Sequence, residues 1–339
     1  MTSLANRNIV GIESDRVTNV TSTDFPGHWP GADDAWDLDK FDKNLQVKIH
    51  SLTDNYSNFD LIGIDTSLAN AFRRIMIADI PTIAVEEVFI HANTSIIQDE
   101  VLAHRLGLVP LVINPERINA LPRGLDASEI EDYYDDSNTF VLRLNVTCER
   151  LADGTMKNAH IYARDITFDP MGNQCQWVKD EGLENVFKVA NPDILIAKLR
   201  PNQSINLTMF CHLGFGHDHA KFSPVATASY RLMPTITITG DITGDEAKKF
   251  QKCFPKGVIE LEGGKPVVAD ARKDTVSREV LRHEEFNGKV KLGRRRDHFI
   301  FNVESSGALE PDEIFLKSVM ELQAKAQTLK AAVSGYMQQ

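Results

Sequence analysis

No cysteine in this chain stands three positions from another. The four, Cys148, Cys175, Cys211 and Cys253, are scattered. That spacing argues against a disulfide framework and against a local zinc knuckle. Long apolar runs are missing too. None approaches the roughly 20 residues that span a bilayer, and the opening MTSLANRNIVGIESDR lacks the basic start and apolar core of a signal peptide. The expectation is a nuclear or cytosolic protein with no membrane partner. There is no G-x-x-x-x-G-K-[ST] loop and no G-x-S-x-G elbow, so phosphate-loop and serine-hydrolase chemistry lose their signatures. Positive charge is also in deficit. A net charge of −11 argues against a protein that coats nucleic acid with its whole surface.

What is present suits a globular protein. The 339 residues suffice for two or three domains, and 42% of them are hydrophobic. Residues 1–40 are polar and acidic, with Pro26, Gly27, Pro30 and Gly31 close together, and read as an extended arm. LQVKIHSL (45–52) alternates as a half-buried strand does, and FDLIGID (59–65) follows as a second. Further strands are expected at 82–92, 140–148, 160–168, 204–213, 227–239 and 298–305, with a short helix near 99–106. Asp126–Asp136 carries six acids and no base and reads as an exposed loop. Lys265–Arg296 carries ten bases against five acids, the pattern of a solvated, salt-bridged face.

Two helices stand out. In TSLANAFRRIMIADIP (66–81), Leu68, Phe72, Met76 and Ile80 recur every four residues, and Ala71 and Ile75 widen the stripe. Asp65 or Thr66 can cap this helix, and Pro81 ends it. Arg73 and Arg74 fall off the stripe. The second helix opens at Pro311, with Asp312 and Glu313 at its positive end. Phe315, Val319, Leu322, Ala326, Leu329 and Val333 are spaced 4, 3, 4, 3, 4, the rhythm of lengthwise helix packing. Pattern alone leaves a subunit seam and packing within the chain equally open.

The best metal candidate is CHLGFGHDHAKFSP (211–224), which gathers Cys211, His212, His217, Asp218 and His219. Its spacing fits no ligand template, and its two glycines are too close for a dinucleotide fingerprint. Glu100 and His104 lack the second histidine of a zincin helix. No cofactor and no metal are expected, and a metal-dependent hydrolase is the weakest reading.

The run SLANAFRRIMIADIPTIAVEEVFIHANTSIIQDEVLAHRLGLVPL (67–111) resembles the α-like subunits of multisubunit RNA polymerases. DILIAKLRPNQSINL (193–207), HAKFSPVATASYRLMP (219–234), DTVSREVLRHEEF (274–286) and FIFNVESSGALEPDEIF (299–315) match the same family in the same order. The polymerase II branch carries a zinc-binding cysteine cluster in its inserted domain, which this chain lacks between Pro110 and Pro192. The opening NIVGIESDRVTNVTSTDFPGHWP (8–30) is similar to the larger α-like subunits shared by polymerases I and III. Some archaeal relatives hold an iron–sulfur cluster, which the scattered cysteines give no reason to expect.

The resemblance implies an α+β fold. A discontinuous dimerisation domain (41–82 and 235–339) would surround an inserted, mostly β domain (83–234). It implies a non-catalytic assembly subunit serving rRNA, tRNA and 5S rRNA transcription in the nucleus, in nucleolus and nucleoplasm. The smaller α-like subunit would dimerise through Leu68, Phe72, Met76 and the seam from Phe315 to Val333. Arg73 and Arg74 would dock the second-largest subunits, the alternative being a solvated pair. Small zinc-bearing subunits would join the platform. The rival reading is a nucleic-acid-binding module on the basic 265–296 segment, though interleaved aromatics are scarce there.

Overall fold

A computed structural model describes residues 8–20, 35–122 and 133–337. In chain order its main elements are β1 (Ile9–Ile12), β2 (Val17–Thr18), α1 (Leu38–Asn44), β3 (Gln46–Thr53), β4 (Tyr56–Ile62), α2 (Thr66–Ala78), β5 (Thr82–Asn93), α3 (Asp99–Gly107), β6 (Phe140–Thr147), β7 (Thr167–Phe168), β8 (Ser204–Gly214), β9 (Val225–Ile238), α4 (Gly244–Lys252), β10 (Val290–Ser305) and α5 (Pro311–Met337). The class is α+β, as expected. Most of the acidic 126–136 loop lies outside the described residues.

Two compact units are drawn from this chain. The first lies within residues 1–51, 58–70 and 229–302, and the second within 52–57, 71–228 and 303–339. The first unit is built on a sheet of order β2-β1-β10-β4-β3, with β9 also paired to β10. β1 runs antiparallel to β10, with Ile9 opposite Arg295 and Gly11 opposite Gly293. Gly293 has no room for a side chain: a Cβ there would sit 2.6 Å from Cγ2 of Ile9. The described part of the expected N-terminal arm therefore includes two strands. The core gathers Ile12, Phe250, Phe254, Val258, Phe286 and Leu292. Phe250 meets Phe286 edge-on, with ring centroids 5.2 Å apart.

A charged group is buried in this unit. Asp60 is 3% exposed. Arg272 donates to its Oδ1 from Nε (3.1 Å) and Nη2 (3.0 Å), and Nε2 of His298 lies 2.9 Å from its Oδ2. Arg272 also donates to Asn58, whose amide donates to Asn302. Burial alone would push the Asp60 carboxyl up. The hydrogen bonds and charges of Arg272 and His298 outweigh it and hold the carboxyl below its ordinary range.

The second unit carries a sheet of order β7-β6-β8-β5. β8 alternates, so that Ile205, Leu207, Met209 and Cys211 all point into the core. Leu102 and Leu106 of α3, both fully buried, belong to the same cluster. The strand expected over 160–168 is broken. Asp165 accepts a bond from the Tyr162 amide, and Ala163–Asp165 coils into one turn. Such a local bond competes with a ladder. His160–Tyr162 then pairs with Leu195–Lys198, whereas β7 pairs with β6.

Candidate partner interface

The final helix shows the clearest imbalance between sequence and surroundings. The Ile314 amide bonds to the Glu310 carbonyl, with Pro311 in the first turn. Ile314 and Ser318 are fully buried, and Phe315 and Leu322 are half-buried. Lys317 reaches Glu116 at 3.1 Å, and Lys325 reaches Asp79 at 2.7 Å. Beyond Leu322 the cover ends. Every residue from Gln323 to Tyr336 is exposed, a stretch of roughly 20 Å. Leu329 is 66% exposed and Val333 50%, and Val319 and Ala326 are exposed on the same face. The apolar 4-3 spacing continues along this exposed stretch, where Leu329 and Val333 stay bare and the Lys325–Asp79 ion pair is a polar contact off that face.

The other helix, α2, divides differently. The Asp65 carboxylate caps it by accepting from the Ser67 amide at 2.8 Å. Its inner face is Ala69, Ile75, Met76 and, just past its end, Ile80. Leu68 and Phe72 are half-buried, and Phe72 meets Phe315 edge-on at 5.6 Å. Met76 is wholly inside its own chain, at 0% exposure, and presents no surface to a partner. The arginines are not equivalent either: Arg74 is exposed and Arg73 half-buried.

The strand β3 adds a second apolar surface, in the first unit. Alternation predicts a half-buried strand, yet all eight of its residues are exposed. It lies at the edge of the sheet. Val47 and Ile49, two apart, share one of its faces.

The histidine-rich loop does other work. His217 Nδ1 lies 3.0 Å from the Ala78 carbonyl at the end of α2, and the His217 amide bonds the same oxygen. His219 Nδ1 accepts from the Lys221 amide. His212 is buried, and burial pushes its pKa down. The Cys211 thiol is pushed far up by burial, though Lys221 opposes this. These side chains thus face separate neighbours. Among the described residues no group of three or more His, Cys, Asp or Glu converges as metal ligands do. Glu100 and His104 sit exposed on α3. Gly216 explains part of the motif: a Cβ there would lie 2.1 Å from the Ile77 carbonyl oxygen. Gly216→Ala should force the loop off α2 and lower stability by about 1–3 kcal/mol, read as the denaturant midpoint. An unchanged midpoint would dismiss this clamp.

The basic segment is laced with ion pairs. Lys265 meets Asp241, Arg282 meets Glu279, Lys289 meets Glu246 and Arg295 meets Asp297. Much of it is also structural. Lys291–Asp297 forms the first half of β10, with Arg294, Arg295 and Arg296 half-buried.

Comparison with known proteins gives one consistent answer. The family model described as the RNA polymerase Rpb3/Rpb11 dimerisation domain matches residues 58–326. The chain is 55% identical over 334 residues to the DNA-directed RNA polymerases I and III subunit RPAC1 of Saccharomyces cerevisiae, covering 95% of this chain and 98% of that one. It is 45% identical to the mouse protein of that name over 322 residues (91% and 90% covered). The human protein of that name is also 45% identical, over 323 residues (91% and 90% covered).

Proposed function

The chain belongs to the RNA polymerase Rpb3/Rpb11 dimerisation-domain family, and from that premise we propose that it is a non-catalytic assembly subunit of DNA-directed RNA polymerases I and III. It contributes surfaces to the enzyme, not reacting groups. The observation that carries this reading is the bare apolar face of α5 beyond Leu322. A helix face of that length in water favours association. The partner is the smaller α-like subunit. Val319, Ala326, Leu329 and Val333 supply the exposed seam, Phe315, Leu322 and Phe72 join it from half-buried positions, and the half-buried Leu68 of α2 is a further candidate contact. Met76, fully buried, makes no direct contact with the partner in this reading. Residues 41–82 and 235–339 act together as the dimerising part, and 83–234 as the insertion. The location is nuclear, with nucleolar and nucleoplasmic pools.

Co-expression tests the pairing. The full chain alone should self-associate, and co-expression with the smaller α-like subunit should yield a soluble 1:1 complex. A monodisperse monomer in isolation would count against the proposal.

Arg74 is the cleaner probe of the next assembly step, because Arg73 is partly covered. An exposed guanidinium suits paired carboxylates or carbonyls on the second-largest subunit. Arg73→Glu with Arg74→Glu, and Arg74→Glu alone, should leave the heterodimer intact. Capture of the second-largest subunit should weaken about tenfold or more, since attraction becomes repulsion. If the double variant keeps that capture, the pair is merely solvated. Small zinc-bearing subunits would add to the same platform, and their stoichiometry in the purified enzyme reads this out.

A further inference from the structure

A cavity of about 300 Å³ opens in the first unit. Arg231 of β9, Arg294 of β10, and Lys273 with Asp274 in the turn between them line it, beside Leu232 and Val276. Three cationic side chains from three separate elements thus face one carboxylate.

Each charge has a distinct setting. Arg231 is fixed: Nη1 donates to the Asp274 carbonyl at 2.8 Å and Nη2 to the Arg272 carbonyl at 2.5 Å. Lys273 lies 3.4 Å from Asp270, and both are well exposed, so that pair is weak and easily exchanged. Nε of Arg294 is buried and has no hydrogen-bond partner, which is unfavourable for a charged donor. The acid is engaged locally. Asp274, 3% exposed, bonds the amides of Val276 and Thr275 and so holds Val276 at a φ of 58°. A β-branched residue rarely adopts that conformation. Burial pushes the Asp274 carboxyl above its ordinary range despite those bonds and the nearby arginines. One carboxylate set against three cationic side chains leaves the lining with a positive excess.

We propose that this cavity receives a carboxylate side chain from an acidic peptide segment of a protein partner. The planar guanidinium of Arg294 matches a carboxylate's two oxygens. Nucleic acid fits less well. No aromatic ring lines the cavity to stack a base, and a chain of net charge −11 repels a long polyanion away from this spot. The site is distinct from the helix seam and does not depend on which partner that seam recruits.

The test uses full-length chain, alone or with its co-expressed α-like partner, whichever is monodisperse. A fluorescein-labelled hexaglutamate peptide is titrated by anisotropy at low salt. Saturable 1:1 binding that weakens with salt is expected. Arg294→Gln should weaken it at least tenfold. Lys273→Gln, at an exposed position, and Leu232→Glu, at a half-buried one, should do the same and carry the test if Arg294→Gln does not fold. Lys291→Gln, on the opposite face of β10, should leave it within twofold. Absence of saturable binding, an equal loss in Lys291→Gln, or tighter binding of a hexathymidylate oligonucleotide would overturn the proposal.

Discussion

Leu329→Asp combined with Val333→Asp should abolish pairing with the smaller α-like subunit while leaving the chain folded. Both side chains are at least half exposed, so a carboxylate there disturbs nothing within the chain. In the heterodimer, each would lose an apolar burial of about 1.5–3 kcal/mol and gain an unpaired buried charge. The lost burial alone amounts to a weakening of on the order of 10²–10⁴-fold. Co-purification from cells expressing both subunits gives the readout, with circular dichroism of the variant as the folding control. The seam position Leu322 is less informative, because it is half covered by its own chain. A double variant that still brings down its partner would move the interface elsewhere.

Asp60→Asn should be the most damaging single change within the first unit. It leaves the Arg272 guanidinium, only 22% exposed, without its counter-charge. Removing one partner of such a pair costs about 3–5 kcal/mol, a large share of the roughly 5–15 kcal/mol that a domain possesses. The pH dependence has a definite sign. The folded carboxyl titrates below its unfolded value of about 3.9, so its contribution is fully present above that pH and lost as pH falls through the lower folded value. The stability gap between wild type and Asp60→Asn should therefore still be present at about pH 4 and close below it. Adding Arg272→Met should recover much of the loss, since the orphan charge disappears with it. Additive losses in that double-mutant cycle would show that the two side chains do not act as a unit.

Much of the fold was legible from periodicity, and the exceptions share a cause. The 3.6-residue stripe of α2 and the 4-3 spacing of α5 located both helices, because burial of one face imposes that spacing whoever supplies the cover. For the same reason the pattern could not say which side chains face a partner. Met76 and Leu329 look equivalent in sequence, yet one is fully buried in its own chain and the other bare. β3 shows the converse: its alternation predicted a buried face that its own chain does not provide. β10 begins eight residues before the strand expected at 298–305, because Arg294, Arg295, Arg296 and Asp297 resemble a solvated run. Asp60 carries little signal in the sequence, since Arg272 and His298 lie 212 and 238 residues away in the chain and only His50 is local. The short helix α4 has only Ala247 and Phe250 as buried residues, too few to establish a period.

The pairing of β1 with β10 imposes an order on synthesis. Ile9–Ile12 leaves the ribosome some 280 residues before the strand that completes it. At about 5–20 residues per second, that is a wait of roughly 15–55 s. β5, β6 and β8, by contrast, have all been synthesised by residue 214, so each can meet its neighbour well before translation ends. The nascent chain thus carries an early-folding middle flanked by a first strand that cannot close.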